Sequence, residues 1–204
     1  MFDQPEFPEA LAQAIASHAS VSSSDFDLNS DRPPAENLRP AAVLVPLQIK
    51  GGAWHVILTK RPQTMKHHPG QVAFPGGKQD VSDTSLEATA IRETCEEIGV
   101  KAADIKIIAA LPNHETVTNF DVRPIVGLVD QSAHLQKERY EVEEVFHVPL
   151  AFLLNKQNYS VQSRIWFGSE RFYYTIPFGP YYIWGATARM LYSMATIWEM
   201  SDAN

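Results

Sequence analysis

Residues 84–98 constrain the fold most. They are the one stretch in the middle of the chain with helical periodicity, and they are set among runs that read as strands. Thr84 and Glu87 fit a capping box, with Asp83 as the competing N-cap. Gly99 stands where a left-handed C-terminal cap is wanted. At 100° per residue, Thr84, Ala88, Ile91, Cys95 and Ile98 fall within about 80° of one another and are the expected core stripe. Glu93, Glu96 and Glu97 cluster on the opposite side at i, i+3 and i+4 spacing.

Strand candidates surround this helix. Residues 41–49 and 54–59 read as a hairpin around Gly51-Gly52, a dipeptide suited to a tight turn with positive φ. Further strands are expected at 71–74, 105–110, 121–129, 143–148, 158–167 and 171–176. Helices are expected at 8–19 and from Gly185 to about Met200, with a short helical turn at 151–155. The Ser run and Pro33-Pro34 make 20–40 a linker. Most strands are joined by hairpins and not by βαβ crossovers. The expected class is therefore α/β (α+β) with a mixed, mostly antiparallel sheet. Residues 1–40 would be an N-terminal helix and linker, and 41–200 the main domain.

The 204 residues suit a domain with a sizeable core, and 45% apolar against 20% charged residues is a globular composition. A net charge of −7 argues against nonspecific nucleic-acid binding, which needs a basic surface. It does not exclude anionic substrates, because a bound divalent cation reverses the local sign. No apolar run approaches the roughly 20 residues that span a bilayer, and the acidic start lacks a signal-peptide pattern. Cys95 is the single cysteine, so no intramolecular disulfide forms. A reducing cytoplasmic setting is the expectation. Cys95 has no adjacent base in the sequence and is not expected to be a nucleophile.

Three glutamates on one helical face repel one another by a few tenths of a kcal/mol per pair, roughly, and the plain reading is a solvated acidic face. Two features favour a cation site. The glutamates lie in the last turns of the helix, where the dipole disfavours negative charge. Pro75-Gly76-Gly77 also precedes them, and its backbone can approach phosphate oxygens closely. Oxygen ligands without His or Cys point to Mg²⁺ or Mn²⁺.

Gly77 and the run Arg92-Glu93-x-x-Glu96-Glu97-x-Gly99 resemble the Nudix box. The resemblance implies a Nudix-type α/β/α sandwich and a metal-dependent hydrolase of diphosphate linkages. Arg92 would hold Glu93. Glu93, Glu96 and Glu97 would bind metal or position the attacking water, with Glu93 and Glu97 as the foremost ligands. The stretch 77–92 is one residue longer than the common box, Asp83 stands where a Glu is usual, and Thr94 replaces an aliphatic residue.

A second resemblance accounts for the length and for Asp83. Leu58-Thr59-Lys60-Arg61, then Lys66-His67-His68, then Gly70-Gln71-Val72-Ala73-Phe74-Pro75-Gly76-Gly77, look like the coenzyme A pyrophosphatase branch. That branch has the longer box with Asp, and its Thr-Ala-x-Arg-Glu-Thr run matches 89–94. Lys66 departs from the usual Arg. The resemblance extends over about residues 40–200.

The implied substrate is coenzyme A or an acyl derivative. The implied products are 3′-phosphoadenosine 5′-phosphate and (acyl-)4′-phosphopantetheine. Arg61, Lys66, His68, Gly76 and Gly77 are the expected substrate contacts, with a solvated basic loop as the competing reading. His67 and His68 form a weak metal pair at most. Tyr173, Tyr174, Tyr181, Tyr182 and Trp184 are expected in the core or at a rim. Glu115, Glu141, Glu143 and Glu144 are candidate bases outside the box, with no means to choose among them. Another nucleoside diphosphate derivative, such as ADP-ribose or a dinucleotide, and a non-catalytic binding module remain as alternatives. A homodimer is left open.

Overall fold

The computed structural model describes residues 6–18, 23–29, 37–65, 68–166 and 168–202. In chain order the elements are α1 (Phe7–Ser17), β1 (Ser23–Ser24), β2 (Arg39–Lys50), β3 (Ala53–Lys60), β4 (Val72–Ala73) and β5 (Gly76–Lys78). Then come α2 (Leu86–Ile98), β6 (Ile105–Ala110), β7 (His114–Glu115), β8 (Phe120–Val129), β9 (Glu144–Pro149) and α3 (Leu150–Leu154). The chain ends with β10 (Ser160–Trp166), β11 (Ser169–Phe178), β12 (Tyr181–Trp184) and α4 (Gly185–Asp202).

The central strand is β2. It pairs in parallel with β8 from Arg39↔Phe120 to Leu47↔Leu128. Along its other edge the partners change. Ala41–Val43 pair with β5 and Leu47–Lys50 pair with β3, both antiparallel. The sheet edge opens between those two partners, where Leu44 N–H donates to Pro75 O at 2.9 Å. β9 pairs with β3, and β6 and β7 pair with β8, all antiparallel, so the sheet is mixed and mostly antiparallel as expected.

Alternation along β2 sets the layers. Ala42 and Leu44 face α2 in a small cluster with Ala90 and Ile125. Val45 and Leu47 face the large core with Leu11 and Ile15 of α1, Leu150 and Leu153 of α3, and Leu191 and Met194 of α4. The result is an α/β/α sandwich with α2 alone on one face. Helix α1 belongs to that core, since Leu11 is fully buried and the Phe7 and Trp198 rings lie 5.0 Å apart.

Four sequence expectations need correction. Helix α2 is capped by Ser85, whose side chain accepts from Ala88 N–H, and not by Thr84 or Asp83. Its buried stripe is Ala90, Thr94, Glu97 and Ile98, rotated by roughly 100° from the expected one. The bulk of Ile91 and Cys95 suggested the wrong face. The helix instead turns its small residues to β2, with Thr94 Oγ1 folded back onto Ala90 O at 2.7 Å. The linker reading fails at 23–29, where β1 pairs in parallel with β7. Finally, no strand is expected from the sequence at 181–184, yet β12 forms there, in a separate three-stranded sheet with β10 and β11.

Candidate active site

Gly99 closes α2 with φ of 70°, and the loop after it turns back along the helix end. Gln136 N–H donates to Ile98 O at 2.8 Å and Glu138 N–H to Glu97 O at 2.9 Å. These bonds bring Glu141 to the glutamates of α2.

Arg92 organises the helix side. Its Nε and Nη2 each donate at 2.9 Å to one oxygen of Asp83, a bidentate pair. Its Nη1 donates to Glu93 Oε1 at 2.9 Å and Glu96 Oε2 at 3.2 Å. Asp83 also accepts from Thr89 Oγ1 and from Asp80 N–H, both at 2.9 Å. The guanidinium holds the Asp83 carboxyl far below the usual carboxylate range. Asp83 thus fixes the arginine that fixes Glu93, a role the sequence reading did not give it.

Glu97 is different. It is 5% exposed and lies on the sheet side of the helix. Burial foremost, then the neighbouring Glu93 charge, push its pKa up to about 8, while Arg61 and the Gly76 N–H pull the other way. Burial also raises Glu93, against the pull of Arg92. Glu141 adds its negative charge to both.

The glycines shape the opposite wall. A Cβ on Gly77 would sit 2.5 Å from the Glu93 carboxylate, and one on Gly76 would sit 2.5 Å from Ala42 O. Neither position has room for a side chain. Arg61 follows β3 directly, and its buried Nε has no hydrogen-bond partner among the described residues.

The structure therefore gathers Arg61, Gly76, Gly77, Arg92, Glu93, Glu96 and Glu97 around the end of α2. Lys66 and His67 lie outside the described residues. His68 is not with the glutamates; it lines a separate cleft with Gly70 and Gln71. Of the extra glutamates, only Glu141 bears on the site. Glu143 pairs with Lys60 at 2.7 Å, Glu144 accepts from Tyr181 Oη at 2.5 Å, and Glu115 sits on β7 beside β1. Cys95 is half-buried, and burial pushes its thiol up, away from the reactive thiolate. Tyr181 stacks on Phe146 and Tyr174 on Tyr192, whereas Tyr173 and Trp184 line the cleft.

Among the described residues, no three carboxylate, imidazole or thiolate groups are drawn together closely enough to enclose a cation. The donor set still fits Mg²⁺ or Mn²⁺. Mg²⁺ commonly takes one or two carboxylates and completes its shell with water and substrate phosphates. Glu97, nearly out of water beside Glu93, is such a carboxylate. Among the described residues no helix is long and apolar enough to cross a membrane.

The chain resembles known proteins. A NUDIX domain model matches residues 37–165. The chain is 38% identical over 162 residues to a protein named uncharacterized Nudix hydrolase NudL from Enterobacter sp. (strain 638), covering 78% of this chain and 82% of that one. It is 35% identical over 159 residues to the NudL protein of Citrobacter koseri, with 78% and 82% covered. Among solved structures it is similar to a MutT protein from Methanosarcina mazei Go1, with a TM-score of 0.47, 21% identity, and 81% and 93% of the two chains covered. A domain match over more than half of the chain, with relatives above 30% identity across most of their length, establishes that this chain belongs to the Nudix family of hydrolases, which act on diphosphate bonds.

Proposed function

We propose that the chain hydrolyses the diphosphate bond of coenzyme A or its acyl derivatives, releasing 3′-phosphoadenosine 5′-phosphate and (acyl-)4′-phosphopantetheine. The observation that carries this reading is the position of Arg61. This residue of the coenzyme A pyrophosphatase-like segment bears electrostatically on buried Glu97, and its Nε has no partner among the described residues. A cation that can meet a phosphate thus stands beside a carboxylate that can meet a metal.

Glu93 and Glu97, with help from Glu96, would hold Mg²⁺ or Mn²⁺. When bound, such a cation lowers the pKa of a water and neutralises phosphate charge. The chain's own residues supply the rest. Arg92 keeps Glu93 and Glu96 oriented, and Asp83 keeps Arg92 in place. Gly76 and Gly77, without side chains, let the Glu93 carboxylate and the backbone of β2 lie directly against this turn. Glu141, close to both inner glutamates, is positioned to take a proton from the attacking water.

The test is turnover of coenzyme A, ADP-ribose and NADH in parallel with Mg²⁺ or Mn²⁺. Preference for coenzyme A is expected. Faster turnover of ADP-ribose would point to another nucleoside diphosphate derivative, and no turnover at all would point to a binding module.

A further inference from the structure

Strand β10 lies at the rim of the three-stranded sheet, and no strand runs along its outer edge among the described residues. Its register with β11 decides what that edge presents. Trp166 pairs with Ser169, so two residues make the turn, and Gly168 in it has φ of 81°. The residues that close a two-residue hairpin exchange backbone hydrogen bonds, and inward bonding then recurs at every second position. Ser160, Gln162 and Arg164 therefore bond towards β11. Val161, Ser163 and Ile165 turn their N–H and C=O groups outward.

Two of these three outward positions carry apolar side chains, and those side chains stand in water. Val161 is 50% exposed and Ile165 72%, and every residue from Ser160 to Ile165 is exposed. Phe172, opposite Ser163 on the same face, is exposed as well. Strands that must stay unpaired usually carry Pro, Lys or a bulge at such an edge. β10 has no Pro and no Lys, and its register with β11 runs without a bulge. Its one charge, Arg164, is folded over rings on the other face, with its guanidinium 4.1 Å from the Trp166 centroid and 4.6 Å from that of Trp184. The edge is a template for another extended strand.

The strand is its own complement. Laid antiparallel on a second copy, β10 can bond only at Val161, Ser163 and Ile165. A two-fold axis at Ser163 overlaps all seven residues of the strand and makes about six backbone hydrogen bonds. It sets Val161 across from Ile165 of the second copy, and Arg164 across from the uncharged Gln162. An axis at Arg164 shortens the overlap and sets arginine against arginine, which repels. An axis at Gln162 leaves Ile165 outside the overlap.

We propose that two copies of the chain pair through β10 in this register, joining their three-stranded sheets edge to edge. Val161 and Ile165 cover one another on one face. Arg164, with the cleft that it helps to line, stays on the other. Seven residues per copy make a small interface, so the dimer exchanges with monomer as concentration changes. The glutamates of α2 take no part in the pairing, which holds whatever the substrate.

Sedimentation of the full chain over a range of concentrations tests the pairing. The wild type is expected to shift from monomer to twice that mass. V161K/I165K sets lysine against lysine across the axis, and its dimer Kd is expected to rise at least about tenfold. Both residues are exposed, so in dilute solution its melting temperature and hydrolytic rate are expected to match wild type. Val81→Lys, at another exposed valine outside this sheet, is expected to dimerise like wild type. Cysteines then read the register. Residues directly opposite lie about 5.5 Å apart between Cα atoms, within disulfide reach. Val161→Cys mixed with Ile165→Cys is expected to form a disulfide-linked dimer faster than either alone, because like positions lie roughly 14 Å apart. A chain that stays monomeric up to about 1 mM overturns the proposal. So does a dimer that V161K/I165K leaves intact, or a cysteine mixture that links no faster than its components.

Discussion

Asp83 and Glu97 flank the same arginine-bearing helix, and both carboxylates are nearly out of water: the Asp83 side chain is 5% exposed, and Glu97 as a residue 5%. Their ionisation goes in opposite directions. Asp83 is held far below the usual range, while Glu97 is pushed up to about 8. Partners make the difference. Asp83 receives two N–H donors from Arg92 and a hydroxyl from Thr89. Glu97 has Glu93 and Glu141 as like-charged neighbours, with Arg61 and the Gly76 N–H in its favour. A buried carboxylate with a guanidinium fork is a structural clamp; we propose that one crowded by like charges is where a cation sits.

That contrast can be broken experimentally. The largest effect is expected for Glu97→Gln. Activity should fall by more than the about 10–100-fold typical of groups that only support a metal ligand, with a Tm equal to or above wild type because the cost of protonating a buried carboxylate is gone. A melting curve beside a rate assay checks both halves. A Tm lower by several degrees would mean that Glu97 is a structural residue.

Asp83→Asn should behave oppositely. Activity falls about 10–100-fold because Arg92 loses its anchor, and Tm falls too. The pH dependence has a definite sign. The folded-state pKa of Asp83 lies below its ordinary 3.8, so its contribution to stability is present above about 3.8 and is lost as pH falls towards the folded value. The gap between the melting temperatures of wild type and Asp83→Asn should therefore be constant near pH 6 and narrow steadily as pH falls below about 3.8. A gap that does not narrow there would remove the ion pair as its cause.

Gly77→Ala places a Cβ 2.5 Å from the Glu93 carboxylate, so Glu93 must move. About a tenfold loss of activity is expected, with little change in Tm, because the displaced group is a polar side chain and not the core. Ser85→Ala is the control with the smallest effect. It removes one helix cap, costs about 1 kcal/mol of stability and leaves the rate within about twofold.

The sequence made plain what depends on local chemistry. The hairpin at Gly51-Gly52 and the left-handed cap at Gly99 both follow from neighbours in the chain. The buried face of α2 did not, because it is chosen by β2. Ala42 and Leu44 accept the small Ala90, and Thr94 and Glu97 are buried on the same side of the helix. Asp83 looked like an irregularity in a motif because its partner lies nine residues away, on another turn of backbone. The nearness of Glu141 to Glu93 and Glu97 depends on the contacts of Gln136 and Glu138 with the end of α2, which the sequence does not reveal. The register of β10 against β11 likewise depends on long-range packing more than on composition.

The central claim is that Glu97 is buried for a cation. Calorimetric titration of Mn²⁺ into the wild-type chain and into Glu97→Gln, without substrate, tests it most directly. Saturable binding by the wild type that is abolished or weakened at least about a hundredfold in Glu97→Gln is the predicted result. Equal Mn²⁺ affinity in the two proteins, both folded, would contradict the account.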